Sequence, residues 1–246
     1  MVVVRNPVVA VDTLEQAAPH LASHGLVVLP GVLDRRACET WAAAVLAARA
    51  DWTQDFDGEQ FSLGRAFYTH LETDRADRYF ADATASDARV ERYAPGLQAA
   101  MRSLLASATG GRVLARPGWC SAGVHVFPAR GLLAERGGVV HFDTEGLAEP
   151  HVACRARAVS LVAMLQPPAR GGGLRVWPLL YAGHDEVDDA MPSQEGDVTV
   201  VLETGDAVAF DSYRLHQIQS FEGSRDRISA TLHGAEIDRD LWESWF

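Results

Sequence analysis

Apolar positions mark several helices within the first 111 residues and break into short strand-like runs after them. Residues 13–24 read as a helix, with Thr13 and Gln16 spaced as a capping box and Gly25 placed to end it. A short apolar strand follows at 26–29. Pro30-Gly31 turns the chain, and Asp34 caps an alanine-rich helix over 35–50 in which Trp41 and Val45 share the inward face. Residues 51–86 scatter Phe56, Phe61, Phe67, Tyr68, Tyr79 and Phe80 among acidic groups without a clean period, which predicts loops, short helical pieces and a substrate lid. A third helix begins near Pro95 and ends by Gly110-Gly111.

Beyond residue 112 the apolar runs fall at 123–127, 139–143, 158–165, 174–177, 198–202, 207–210, 215–221 and 228–232. Glycine-rich turns separate them at 171–173, 195–197, 205–206 and 222–224. This pattern predicts a mainly β fold with flanking helices: a cupin-like jelly roll with the N-terminal helices packed outside. The expected organisation is one domain over 1–246, with a helical part at 1–111, the jelly-roll core at 112–236 and a docking segment at 237–246. That last segment holds Leu241, Trp242, Trp245 and Phe246, too much apolar surface for a free tail. It is expected to dock on the domain or on a second subunit, which leaves a homodimer open.

Composition narrows the function. The 48% hydrophobic and 22% charged content of 246 residues is that of an ordinary globular protein. A formal charge of -11 disfavours nucleic acid and anionic membrane as partners and favours a small-molecule substrate. Residues 1–4 are apolar but run into Arg5, Asn6 and Pro7, too short for a signal peptide or a span, so a cytoplasmic location is expected. Cys38, Cys120 and Cys154 suggest no disulfide framework. All 22 basic residues are arginine, which excludes a lysine Schiff base or a lysine anchor for an acid; any carboxylate clamp must be an arginine.

The candidate chemistry centres on His141-Phe142-Asp143. In extended backbone, residues two apart project from one face, so His141 and Asp143 can address one ion while Phe142 faces away. His216 from a distant strand completes a two-histidine, one-carboxylate set suited to iron(II), with coordination positions left open. His125, inside the 123–127 run, is either a contact to substrate or cosubstrate or a hydrogen-bonded core histidine. Trp177 and Tyr181 are candidates for the pocket wall, with ordinary packing as the competing role.

With that triad on a jelly roll, the chain resembles the iron(II)- and 2-oxoglutarate-dependent dioxygenases, in their phytanoyl-CoA hydroxylase-like or prolyl-hydroxylase-like branch. The resemblance covers roughly the second half. It rests on Gly-Val-Val-His-Phe-Asp at 138–143, Gly-Gly-Gly-Leu at 171–174, Gly-Asp-Ala-Val-Ala-Phe at 205–210 and the stretch from His216 to Arg225, with 24–33 as corroboration. It implies a double-stranded β-helix, Fe(II) held by His141, Asp143 and His216, and 2-oxoglutarate and O2 as cosubstrates. It further implies that Arg225 or Arg227 pairs the far carboxylate of 2-oxoglutarate, with Ser229 as helper; Arg225, nine residues after His216, is slightly favoured. The implied reaction is hydroxylation of an unactivated C–H bond in an amino acid or natural-product intermediate, releasing succinate and CO2. Asp143 argues against halogenation, whereas desaturation, ring closure and epimerisation use the same triad. Two other readings compete. A cupin-like metal enzyme without 2-oxoglutarate leaves the arginines after His216 unexplained, and a non-catalytic jelly-roll binding module leaves the ordered motifs to coincidence.

Overall fold

The computed structural model describes residues 10–183 and 197–246, so the apolar start at 1–4 and the turn residues 195 and 196 lie outside the described residues. The helices are α1 (Ala17–His24), α2 (Arg35–Ala47), α3 (Phe67–Glu72), α4 (Ala76–Tyr93), α5 (Leu97–Thr109), α6 (Leu132–Arg136) and α7 (Glu149–Ala153). The strands are β1 (Leu26–Leu29), β2 (Thr53–Asp55), β3 (Gln60–Leu63), β4 (Arg112–Ala115), β5 (Gly123–Phe127), β6 (Ala158–Gln166) and β7 (Arg170–Gly171). They continue with β8 (Leu174–Leu180), β9 (Val198–Val200), β10 (Ala207–Asp211), β11 (Arg214–Ile218), β12 (Phe221–Glu222), β13 (Arg227–Asp238) and β14 (Leu241–Trp245). No helix among the described residues is long and apolar enough to cross a membrane.

Local signals place the first helices. Gly25, at φ 65°, ends α1 with its N–H on the Leu21 carbonyl, and the Asp34 carboxylate accepts from the Ala37 N–H to start α2. Thr13 makes no cap. Gln16 reaches back instead to the Asp12 N–H at 3.3 Å, over a 3-10 turn at Leu14–Gln16.

Residues 51–86 are more regular than their pattern suggests: they hold β2, β3, α3 and the first half of α4. The buried stripe of α4 is Tyr79, Ala83, Ser86 and Val90. Its helical spacing is sound, but alanine and serine contribute so little hydrophobicity that the period is faint. A second correction falls at 139–143, which forms no strand. Its one β-bridge joins His141 to His216, and the Asp143 N–H adds a bond to the Ser212 carbonyl.

The larger sheet runs β1-β10-β6-β13-β5-β3-β2, with β14 added to β13 and β4 added to β14. A smaller sheet, β11-β8-β9, faces it, and Leu174, Val176 and Val200 pack there on Leu26, Val28, Val208 and Phe210. The helices cover the outer face of the larger sheet, where Leu21, Val45, Met101 and Leu105 join Leu161, Ile228, Ala230 and Leu232 in the main core. This is the helix-flanked double-stranded β-helix expected from the run pattern.

β13 organises the sheet. One edge pairs with β6 along most of its length, and the other pairs first with β5 and then with β14. The C-terminal segment thus docks on its own chain as a strand, antiparallel to β13 and parallel to β4, burying Trp242, Trp245 and Phe246. Phe246 lies where β5 begins: its N–H donates to the Cys120 carbonyl, its carbonyl accepts from the Tyr79 hydroxyl at 2.8 Å, and its ring lies over Gly123. A Cβ on Gly123 would meet Phe246 Cε1 at 2.0 Å. Gly123→Ala is therefore expected to lose about 1–3 kcal/mol of stability in urea unfolding; an unchanged midpoint would show that the Phe246 ring is not fixed there.

Candidate metal centre

The strand alternation of β13 builds the floor of the site. Ile228, Ala230 and Leu232 point into the helix-covered core, whereas Arg227, Ser229, Thr231 and His233 line a cavity of ≈ 1130 Å³ between the sheets. β5 does the same beside it, sending Val124 and Val126 to the core and His125 and Phe127 to the cavity.

His141, Asp143 and His216 meet on the wall of this cavity, with one ligand atom from each lying within 4.8 Å of the others. The bridge that joins the two histidines is reciprocal: His141 N–H donates to the His216 carbonyl at 3.1 Å, and His216 N–H donates back at 3.0 Å. Asp143 N–H is held by the Ser212 carbonyl at 2.9 Å. Asp143 Oδ1 is 3.5 Å from Nε2 of His141 and 3.5 Å from Nε2 of His216.

The ring nitrogens not facing Asp143 are both occupied. Nδ1 of His141 lies 2.8 Å from the Val139 carbonyl, and Nδ1 of His216 lies 3.0 Å from the Arg214 carbonyl. A carbonyl only accepts, so each Nδ1 carries a proton and each Nε2 is the atom left to ligate beside Asp143 Oδ1. Two imidazole Nε2 atoms and one carboxylate converging on a point fit a divalent transition metal with positions left open. Phe142 turns the other way and packs with Trp177 and Leu215.

Burial alone would lower His141, but the Asp143 carboxylate outweighs it and lifts the imidazolium to about 9. Burial would raise Asp143, but His216 and His141 outweigh that and hold it well below the carboxylate range. Next in the chain, burial and then Asp143 repulsion push Glu145 up to about 7.

The other candidates divide. Arg227 and Ser229 line the cavity, with Arg227 Nη1 donating to Ser229 Oγ at 3.0 Å. Arg225 does not line it and donates to the Pro168 carbonyl at 3.2 Å. The two arginines share parity in sequence, but β13 begins at Arg227, so alternation does not extend to Arg225. His125 lines the cavity and is almost fully buried, while Trp177 packs under Phe142 and Tyr181 packs edge-on to it; neither tryptophan nor tyrosine reaches the cavity wall. Sequence reasoning missed His233, whose Nδ1 lies 3.1 Å from Ser160 Oγ and 3.8 Å from Asp143 Oδ2. The alternation Arg-Ile-Ser-Ala-Thr-Leu-His over 227–233 carries the signal for it. Glu72, Glu145 and Tyr68 were also missed as wall residues.

No protein-family model matches the chain, and no curated protein matches it significantly. Solved structures do share its fold. The epimerase SnoN, in complex with Fe3+, alpha ketoglutarate and nogalamycin RO, superposes with a TM-score of 0.53 at 18% identity, covering 89% of this chain and 81% of that one. A prolyl hydroxylase from Trichoplax adhaerens, in complex with a hypoxia inducible factor peptide fragment, gives 0.54 at 13% identity over 92% of this chain and 90% of that one. An oxidoreductase of the 2OG-Fe(II) oxygenase family from Burkholderia pseudomallei gives 0.50 at 13% identity over 91% and 92%. The likeness is one of fold, and the His-x-Asp and distal His cluster is this chain's own feature on it.

Because His141 is protonated at neutral pH in the metal-free site and must be neutral to ligate, metal binding displaces its proton. Calorimetry in buffers of differing ionisation enthalpy is expected to show release of about one proton per metal at pH 7.5, falling towards none above roughly pH 10. Proton release that does not vary with pH would contradict this assignment.

Proposed function

We propose that the chain is a non-haem iron(II)- and 2-oxoglutarate-dependent dioxygenase that hydroxylates an unactivated C–H bond of a small molecule. The observation that carries the reading is Arg227. Its side chain is fully buried on the cavity wall, and among the described residues no carboxylate pairs with it. Burial alone presses its guanidinium down to about 10. Its protein partners are the Gly172 carbonyl at 3.2 Å and Ser229 Oγ, both neutral. A buried cation without a counter-charge costs several kcal/mol, which an anionic ligand offsets.

Arg227 therefore binds the far carboxylate of 2-oxoglutarate, and Ser229 Oγ is placed to donate to the same group. His141, Asp143 and His216 hold the metal. When bound, iron(II) and 2-oxoglutarate together supply an oxidant from O2, leaving succinate and CO2. The chain's part is to fix the metal against the cavity, hold each Nδ1 on a carbonyl so that Nε2 is the ligating atom, and bring the substrate carbon alongside. SnoN, which shares the fold, was solved with iron and alpha ketoglutarate, and this supports the cosubstrate. A cupin-like enzyme without 2-oxoglutarate offers no anion for Arg227, and a binding module offers no use for converging lone pairs.

Under anaerobic conditions, adding ferrous iron and 2-oxoglutarate is expected to produce the weak visible charge-transfer band of a keto acid chelate. Arg227→Met should weaken 2-oxoglutarate binding by about 100-fold, while Arg225→Ala stays within about threefold of wild type. A band in wild type that survives Arg227→Met but is lost in Arg225→Ala would reverse the assignment; no band at all would remove 2-oxoglutarate.

A further inference from the structure

We propose, resting on the dioxygenase reading above, that the substrate carries a protonated aliphatic amine, which Glu145 and Glu72 seat in the cavity. The charges on the wall point there. Asp143 belongs to the metal and Arg227 to the cosubstrate, and Arg75 lies 3.8 Å from the buried Asp55. The remaining wall carboxylates are Asp57, Glu59, Glu72 and Glu145, with Arg136 as the remaining arginine, beside Tyr68, His125 and His233. Once the site is loaded, its substrate side is acidic and complements a cation.

Both key carboxylates are held in place by backbone. Glu145 precedes Gly146, which sits at φ 83° so close to Trp245 that a Cβ would meet the indole Nε1 at 2.4 Å. Arg116 fastens the same turn by donating to the Gly146 carbonyl at 2.6 Å. Glu72 ends α3, whose first residue, Phe67, donates its N–H to the Phe246 carbonyl at 3.0 Å and whose His70 is fully buried. Neither carboxylate forms an ion pair with an arginine among the described residues, and both line the same cavity, where an ammonium group would meet its counter-charge.

His125 is a second, independent sign of a ligand. It is 5% exposed, lines the same cavity, and its Nδ1 meets no hydrogen-bond partner. A buried polar atom left so calls for a partner, and on the cavity wall a ligand can supply it. Its ring lies 5.8 Å from that of Tyr68, which stands one helical turn before Glu72 on α3. Burial keeps His125 neutral, with its basicity pressed down to about 3, so it interacts through hydrogen bonds and adds no positive charge that would repel an ammonium. Phe56 and Tyr68, with ring centroids 6.2 Å apart, give aromatic surface that suits a cation or its apolar body. Val139 and Leu132 extend the apolar wall. The substrate class is thus a small molecule with an apolar body and a primary or secondary amine.

The test is calorimetric titration of the protein loaded with Mn(II) and 2-oxoglutarate, using phenethylamine, 2-phenylethanol and 3-phenylpropionate as probes of similar size. Phenethylamine is expected to bind at least about tenfold more tightly than the alcohol, with the carboxylate weakest. Glu145→Gln and Glu72→Gln should each cut amine binding by about tenfold and leave the alcohol unchanged, with unfolding midpoints close to wild type. Equal binding of the three probes, preference for the carboxylate, no amine binding at millimolar concentration, or wild-type amine affinity in both variants would overturn the proposal. Amine selectivity without any 2-oxoglutarate heat would count against the cosubstrate alone. A normal 2-oxoglutarate signal without amine selectivity would count against the amine alone.

Discussion

Everything at this site depends on one antiparallel bridge. His141 and His216 lie far apart in sequence, and two reciprocal backbone hydrogen bonds bring them together, with ring centroids 4.2 Å apart. The pairing fixes more than proximity. With both backbones extended, each Nδ1 finds a carbonyl two residues back in its own chain, Val139 for one and Arg214 for the other. One local geometry, used twice, places both Nδ1 protons on carbonyls and turns both Nε2 atoms towards Asp143. The segment that carries His141 forms no further ladder, so the metal ligand set is itself part of what ties it to the barrel.

A second constraint is electrostatic. A chain whose cationic side chains are all arginine has placed one of them, Arg227, in the interior with only neutral oxygen partners. The protein tolerates this because the guanidinium's fork is partly satisfied by Gly172 and Ser229 and its face lies 5.3 Å from the Phe127 ring. A guanidinium left with only neutral partners favours an anion beside it, which is how a fold holds a site ready without closing it.

The clustering of the candidate triad was readable because the spacing of two works for any extended backbone, whether or not it belongs to a ladder; 139–143 is not a strand, yet His141 and Asp143 still share a face. The jelly roll was readable because its turns are rich in glycine. The rest depended on partners remote in sequence. Arg225 and Arg227 are equivalent until the start of β13 separates them. Trp177 and Tyr181 are aromatic whether they pack or line a pocket, and only the placement of Phe142 decides it. The apolar content of 241–246 announced a docking segment, but not that it docks as a strand between β4 and β13. In α4, the stripe of tyrosine, alanine, serine and valine is too weak in hydrophobicity to announce a helix of 18 residues.

β13 has a consequence for how such a protein can change over time. Its alternate residues answer to separate demands: 228, 230 and 232 to the cohesion of the core, and 227, 229, 231 and 233 to what enters the cavity. Substitutions at one set are nearly silent for the other, so a lineage can explore new chemistry at 231 or 233 while the packing beneath stays as it was. A single inserted residue would exchange the two sets at once. The strand is therefore permissive to replacement and intolerant of a change in length.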